Sequence, residues 1–338
     1  LGILMPESVG GSGLGIADAA VLMHRVAHSA GGMSAASSIH INIFGPHPIV
    51  VHGTQAQKER WLPDLISGRT IACFSVTEPD AGLDTGRIST RAVRDKDHYR
   101  VDGQKIWTST AQVADRIMLL TRTTARDQVK RSVDGLTLFY TSLDRSCIEV
   151  REIEKMGRKA VDSNMLFIDG LRVPIEDRIG EEGKGFEYLL HGLNPERILI
   201  AAEAIGIGQE ALRRASDYAR DRHVFDRSIG TNQAIAHPLA KCWMELQAAW
   251  LMTLEAADRY DRGVSCGSEA NAAKYLAAEA AFNACERAVM THGGMGYARE
   301  FHVERLLREV LIPRIAPVSP EMILNYIAER VLKLPRSY

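Results

Sequence analysis

The sequence lacks most of the features that assign a chain quickly. It contains no uninterrupted apolar run of the roughly 20 residues a bilayer-spanning helix needs, so no membrane partner is expected. The 338 residues carry a net charge of −1, which leaves no surplus of positive charge for a nucleic-acid footprint. Arg213, Arg214, Arg220 and Arg222 do cluster, but among Glu210, Asp217 and Asp221, the pattern of a solvated helix face. Cysteine is sparse. The five thiols (Cys73, Cys147, Cys242, Cys266, Cys285) are odd in number, scattered and without a C-x-x-C pair. That argues against a disulfide frame and a zinc site, so no metal is expected, and it suits a reducing compartment. There is no internal repeat and no low-complexity stretch. The chain begins at Leu1, not Met, so an N-terminal segment is expected to be missing, and with it any targeting peptide. The expected location is cytoplasmic, with the mitochondrial matrix as the alternative.

What is present has an ordered texture. With 46% hydrophobic and 25% charged residues, the chain has enough apolar material for a large core. From Asp18 to Ser67 small and apolar residues recur at three- and four-residue spacing, broken at Gly45-Pro46-His47-Pro48. From Thr70 to about Asp177 short apolar or alternating stretches are separated by polar turns: Ile71–Val76, His98–Trp107, Arg116–Arg122, Leu136–Ser142, Cys147–Ile153 and Met165–Val173. An antiparallel sheet or barrel is expected there. Beyond Gly183 long amphipathic segments return: Pro195–Arg222, Asn232–Arg262, Ser268–Thr291, Glu300–Ile312 and Pro320–Leu332. The expectation is an N-terminal helical domain at 1–69, truncated at its start, a middle antiparallel β-domain at 70–180, and a C-terminal helical bundle at 181–338. Segregated elements of this kind exclude a single wound α/β sheet.

Three runs stand out: T-E-P-D-A-G at Thr77–Gly82, G-Q-K-I-W-T-S at Gly103–Ser109, and H-G-G-M-G-Y at His292–Tyr297. Each alone is an ordinary turn, strand or loop. In this order and spacing they resemble the flavin-binding signature of the acyl-CoA dehydrogenase family, and the likeness extends from Pro6–Gly15 to the last helix. The third run is no G-x-G-x-x-G fingerprint, and nothing suggests a strand feeding it, so a Rossmann site is not expected. A flavin needs backbone donors for its ring edge, a flat side chain beside the ring, and cationic or amide groups for the pyrophosphate. Taken alone, Thr77 is most simply a turn cap and Trp107 a core aromatic. The resemblance makes Trp107 the wall of an FAD ring and Ser109 the hydroxyl near its N5 atom. It places Phe74, Val76, Thr77 and Gly82 beside the ring as well, and Ser319 among the cofactor contacts. Leu83 stands where Ser is usual, in the substrate environment.

R-H-V-F-D at Arg222–Asp226 followed by Gln233 is similar to the family's R-x-x-F-G…Q element. By that likeness Arg222, Phe225 and Gln233 reach the adenosine and pyrophosphate half of an FAD held by a neighbouring subunit, which implies a homodimer or homotetramer. Asp226 replaces the usual Gly, and Met290 a usual Gln. Gly293 and Gly294, lacking Cβ, let backbone approach the nucleotide.

The implied reaction is α,β-dehydrogenation of an acyl-CoA to the trans-2-enoyl-CoA, with electrons passed to an electron-transfer flavoprotein. Most of the family carries its base near the C-terminus, where this chain reads I-A-P-V-S-P-E-M with Pro317 at the matching place. Glu196, in L-N-P-E-R, matches the base of the long-chain and isovaleryl-type branches. Asn194 suits an N-cap and Pro195 the first helical position, so Glu196 is expected in the first turn of a helix. A Glu there ordinarily just complements the helix dipole. Glu321, after Pro320, has the same simple explanation and ranks below Glu196. Asn194, Arg197 and Val318 are the remaining expected substrate contacts. By the likeness the backbone N–H at the place of Pro317 helps hold the thioester oxygen; proline has none, so either Val318 or a flavin ribityl hydroxyl takes over, or the chemistry is not the usual one. The alternatives are an acyl-CoA oxidase or flavin monooxygenase on this fold, or a non-catalytic flavoprotein.

Overall fold

The computed structural model describes residues 1–336, which fall into two compact units. The first comprises Leu1–Leu14, Ser38–Lys155 and Lys159–Leu193; the second comprises Gly15–Ser37, Met156–Arg158 and the described residues from Asn194 onward. The helices in chain order are α1 (Ile16–Val26), α2 (Gly32–Phe44), α3 (His47–His52), α4 (Gln55–Ser67), α5 (Gly185–Asp221), α6 (Gln233–Asp261), α7 (Gly267–His292), α8 (Val303–Glu309), α9 (Ile312–Ile315) and α10 (Pro320–Tyr326). The strands are β1 (Ala72–Ser75), β2 (Arg91–Asp95), β3 (His98–Ser109), β4 (Arg116–Arg122), β5 (Leu136–Ser142), β6 (Ile148–Glu152), β7 (Ser163–Pro174), β8 (Arg178–Ile179), β9 (His223–Val224) and β10 (Arg227–Ser228). No helix among the described residues is long and apolar enough to cross a membrane.

The first unit is built on one sheet of order β6-β7-β3-β2-β4-β5-β8, with β1 also paired to β4. It is mostly antiparallel, as expected, but β1 and β2 both meet β4 in parallel. Because side chains alternate faces, β4 and β5 serve two cores at once. Met118, Leu120, Leu136, Leu138 and Tyr140 pack with Trp61, Leu62 and Leu65 of α4, while Ile117, Leu119 and Phe139 face Tyr99, Leu166 and Val173. The entry into α4 is set by Thr54, whose hydroxyl accepts the Gln57 N–H while the Gln57 side chain returns to Thr54 N, a reciprocal cap.

The second unit is helical around α6 and α7. On α7 a row of alanines (Ala270, Ala273, Ala277, Ala281, Ala284, Ala288) is buried and lets neighbouring backbones approach closely. Adding a Cβ at Gly208 of α5 would bring it within 2.9 Å of the Ala281 backbone. The last expected helices are shorter than their periodicity suggested. Glu300–Ile312 splits into a 3₁₀ turn and α8, with Pro313 opening α9, and Pro320–Leu332 ends as α10 plus a wide turn.

Candidate active site

In the first unit the T-E-P and Q-K-I-W-T runs are tied together. Between Lys105 and Thr108, β3 advances three residues while β7 advances two, from Leu166 to Asn164. The extra residue makes a β-bulge. Trp107 sits in it with φ of +61°, a conformation that is strained for a bulky side chain. Trp107 is 56% exposed, not in the core. Ordinarily that combination is unfavourable, and it persists only where the surroundings over-determine it. They do so here. The Ile106 N–H donates to Thr77 O at 2.9 Å, and the hydroxyls of Ser75 and Thr108 meet at 2.8 Å. The Asn164 amide donates to Thr108 O at 2.9 Å. Lys105, fully buried, donates to Val76 O at 2.9 Å and to Glu78 Oε1 at 3.0 Å.

Glu78 completes the brace by accepting from Ser89 N, Ser89 Oγ and Thr90 N. Burial raises its pKa, but the Lys105 charge and these hydrogen bonds outweigh that and leave it at about 2. On Lys105 burial dominates over the attraction of Glu78, bringing the ammonium down to about 8. Thr77 and Ser109 are half-buried beside this brace, and Gly82 and Leu83 lie exposed beyond it. Phe74 and Val76 are partly buried and pack on the core, Phe74 against the Phe44 ring at 4.6 Å.

In the second unit the expected start of a helix at Asn194 is corrected. Helix α5 begins at Gly185, and Pro195 lies inside it. Asn194 does not cap; its Oδ1 accepts from Arg197 Nη1 at 2.9 Å. Glu196 is therefore half-buried in a helix interior, and the first-turn dipole no longer accounts for it. Arg197 is pushed below its usual range by burial, with Glu196 opposing the shift, and its Nε has no hydrogen-bond partner among the described residues. Arg197 opens onto a cleft of about 510 Å³ that Asn271, Val318, Met322 and Tyr326 also line. Glu321 is exposed, with its pKa lowered by the helix-start backbone and Ser319, as a dipole-complementing residue should be. The Ser319 hydroxyl caps α10, accepting from Met322 N at 3.3 Å.

Also in this unit, Arg222 follows the last residue of α5, and Gln233 begins α6; both are exposed. Between them, β9 and β10 form a hairpin whose two turn residues, Phe225 and Asp226, both have positive φ (+53° and +61°), the tight turn that matches strand twist. Asp tolerates that conformation; Phe does not, and Phe225 is 93% exposed at the tip. After α7, Gly293 has φ of +60°, and a Cβ at Gly293 or Gly294 would meet nothing within 4 Å. Gly296 differs: a Cβ there would strike Val289 O, so it serves packing. The run follows a helix, not a strand.

Models of the acyl-CoA dehydrogenase N-terminal, middle and C-terminal domains match residues 1–69, 73–171 and 183–332. An acyl-CoA dehydrogenase of Mycobacterium tuberculosis, FadE12, is 37% identical over 344 residues, spanning 100% of this chain and 86% of its own length. The chain belongs to the acyl-CoA dehydrogenase family. CarC, a subunit of the caffeyl-CoA reductase-Etf complex of Acetobacterium woodii, is 33% identical over 309 residues, covering 91% of this chain and 80% of CarC. The structure of butyryl-CoA dehydrogenase from Megasphaera elsdenii superposes with a TM-score of 0.92 at 29% identity, covering 98% of this chain and 86% of the other. The family is FAD-dependent, and the residues described fit that cofactor. A flat indole is held out on a braced bulge, and glycine backbone lies open at Gly293 and Gly294.

Three residues of this acyl-CoA dehydrogenase were not foreseen. Glu78 and Lys105 lie inside the flavin motifs, and only their opposite charge hinted that they pair. Lys274 is 1% exposed on α7, where A-A-K-Y-L-A-A reads as an ordinary helix with a surface lysine.

Proposed function

We propose that the chain dehydrogenates an acyl-CoA thioester to the trans-2-enoyl-CoA, with Glu196 as the base. The α-proton is weakly acidic, so its acceptor must be a carboxylate in surroundings that exclude water and keep it basic. Glu196 suits that role because it is half-buried and lies inside a helix, away from any first-turn role. That placement carries the reading, because Pro317 removes the alternative carboxylate and Glu321 is out in solvent. As enolate charge builds on the thioester oxygen, a fixed donor must meet it, and the Val318 N–H is the backbone group that follows Pro317. Arg197 and Asn194 orient the thioester arm. A bound FAD supplies the acceptor for the hydrogen that leaves as hydride. Trp107, Thr77 and Ser109 hold its ring, with backbone at Phe74, Val76 and Gly82 alongside and Ser319 near the nucleotide.

The exposed Phe225, with Arg222 and Gln233, completes the FAD site of a second copy, together with Gly293 and Gly294, so the working form is at least a homodimer. CarC is named as a subunit of a complex with Etf, and an electron-transfer flavoprotein is our reading of the acceptor here. Titrating the FAD-loaded protein anaerobically with a panel of acyl-CoAs tests the proposal. Bleaching of the flavin by at least one of them, with slow reoxidation in air, is expected. Fast reoxidation by air would make it an oxidase, and no bleaching by any thioester would overturn the reading.

A further inference from the structure

Lys274 is a charged side chain that the functions above leave unused. It is 1% exposed, and an ammonium is expensive to bury without compensation. Its Nζ donates to the carbonyl oxygen of Val318 at 2.6 Å, a neutral acceptor. The charged groups that act on it come from four elements: Arg197 of α5, Glu279 of its own helix α7, Arg314 of α9 and Glu321 of α10. Burial, reinforced by the like charge of Arg197 and only partly offset by Glu279 and Glu321, lowers the Lys274 ammonium to about 8.

The bond falls on a residue already restrained on both sides. Before Val318 stands Pro317, whose ring fixes φ. After it stands Ser319, which has φ of −67° and ψ of 154° and caps α10 through its hydroxyl. Holding the Val318 carbonyl restricts the backbone rotations left between these two anchors. The range open to the Val318 N–H is thereby narrowed, on a residue that lines the same cleft as Arg197.

We propose that Lys274 is a positioning residue: by clamping the Val318 carbonyl it aims the Val318 N–H at the thioester oxygen, replacing the donor that Pro317 cannot supply. This rests on the acyl-CoA reading above. Lys274 does not touch the substrate. Its effect passes from the Val318 carbonyl through the Val318 Cα to the N–H of the preceding peptide unit, and the clamp is strongest while Lys274 is an ammonium. The ammonium persists below pH about 8 and is lost as pH rises through that value.

The test is anaerobic rapid-mixing reduction of the FAD-loaded wild type, Lys274→Met and Lys274→Gln by one acyl-CoA that bleaches the wild type, from about pH 6.5 to about pH 9.5. FAD content and the Kd of the enoyl-CoA product are measured alongside. Losing a whole oxyanion donor slows enzymes by about 10²–10³-fold, so a loosened one should slow Lys274→Met by at least about tenfold. Its enoyl-CoA Kd should rise, and its FAD content should stay at the wild-type level. The wild-type rate should fall as pH rises through about 8, and both variants should lack that alkaline limb. Lys274→Gln, which retains a neutral donor, carries the test should the Met variant not fold. A variant as fast as the wild type, or one that keeps the alkaline limb, overturns the proposal. A wild type that no acyl-CoA bleaches overturns the functional reading itself, a different and separable result.

Discussion

Replacing Glu78 by Gln keeps the size of a side chain buried within the flavin motifs, removes its charge and turns one acceptor oxygen into a donor. Glu78 is 5% exposed and Lys105 is fully buried, 3.0 Å away. Three further donors, Ser89 N, Ser89 Oγ and Thr90 N, converge on the carboxylate at 2.7–2.9 Å. A Gln must turn its NH₂ towards one of these donors, and it leaves an ammonium buried without a counter-charge. Breaking a buried pair by removing one partner costs about 3–5 kcal/mol. The displacement of Glu78 from 4.5 to about 2 gives about 3 kcal/mol independently. The sign follows from the lowered pKa: this stability is complete above pH 4.5 and lost as pH falls towards 2. Urea unfolding of the FAD-free protein at neutral pH, followed by circular dichroism, should show a loss of about 3 kcal/mol for Glu78→Gln. Because each partner stabilises the other, Glu78→Gln with Lys105→Met should cost less than the sum of the single changes by at least about 1 kcal/mol. FAD affinity should fall in Glu78→Gln as well, since the pair fixes Val76–Glu78 against the strand that carries Trp107. A single-variant loss below about 1 kcal/mol, or strict additivity, would refute the idea that this pair braces the motifs.

Trp107→Gly should separate stability from binding. Relief of the positive φ should raise the stability of the FAD-free protein by about 1 kcal/mol, measured in urea, while FAD dissociates at least about tenfold more readily on dilution. Arg222→Ala with Gln233→Ala should lower FAD occupancy with the monomer fold unchanged by circular dichroism, because both side chains are exposed within their own chain. Light scattering should find at least a dimer for the wild type. Glu321→Gln should leave flavin reduction within about twofold of wild type, since an exposed first-turn carboxylate contributes only about 0.3–1 kcal/mol to its helix.

The fold was largely legible where burial imposes a period. β4 and β5 carry apolar side chains towards two cores, and the expected limits Arg116–Arg122 and Leu136–Ser142 match the strands observed. Strands that escaped are short or polar: β2 is mostly exposed, and β9 and β10 contain two residues each. The Asn194-Pro195 pair illustrates local chemistry losing to context. It has the residues of a helix start, but α5 was already running, and one missing N–H inside a 37-residue helix did not end it. Taken alone, Trp107 reads as a core aromatic because a bulge is invisible along one strand; it exists only as a mismatch with β7. Lys274 escaped for the same kind of reason, since its partner lies 44 residues away.

The central claim is that Glu196 removes the α-proton, and the most direct measurement is the anaerobic rate of flavin reduction in Glu196→Gln. The substitution keeps size and helix while abolishing the proton acceptor. General-base catalysis contributes about 10²–10⁴-fold, so the rate should fall by at least about 10²-fold with FAD content and circular dichroism unchanged. Adding Pro317→Ala, which restores an N–H but no carboxylate, should not recover it. Reduction of Glu196→Gln at the wild-type rate by the same acyl-CoA would contradict the account.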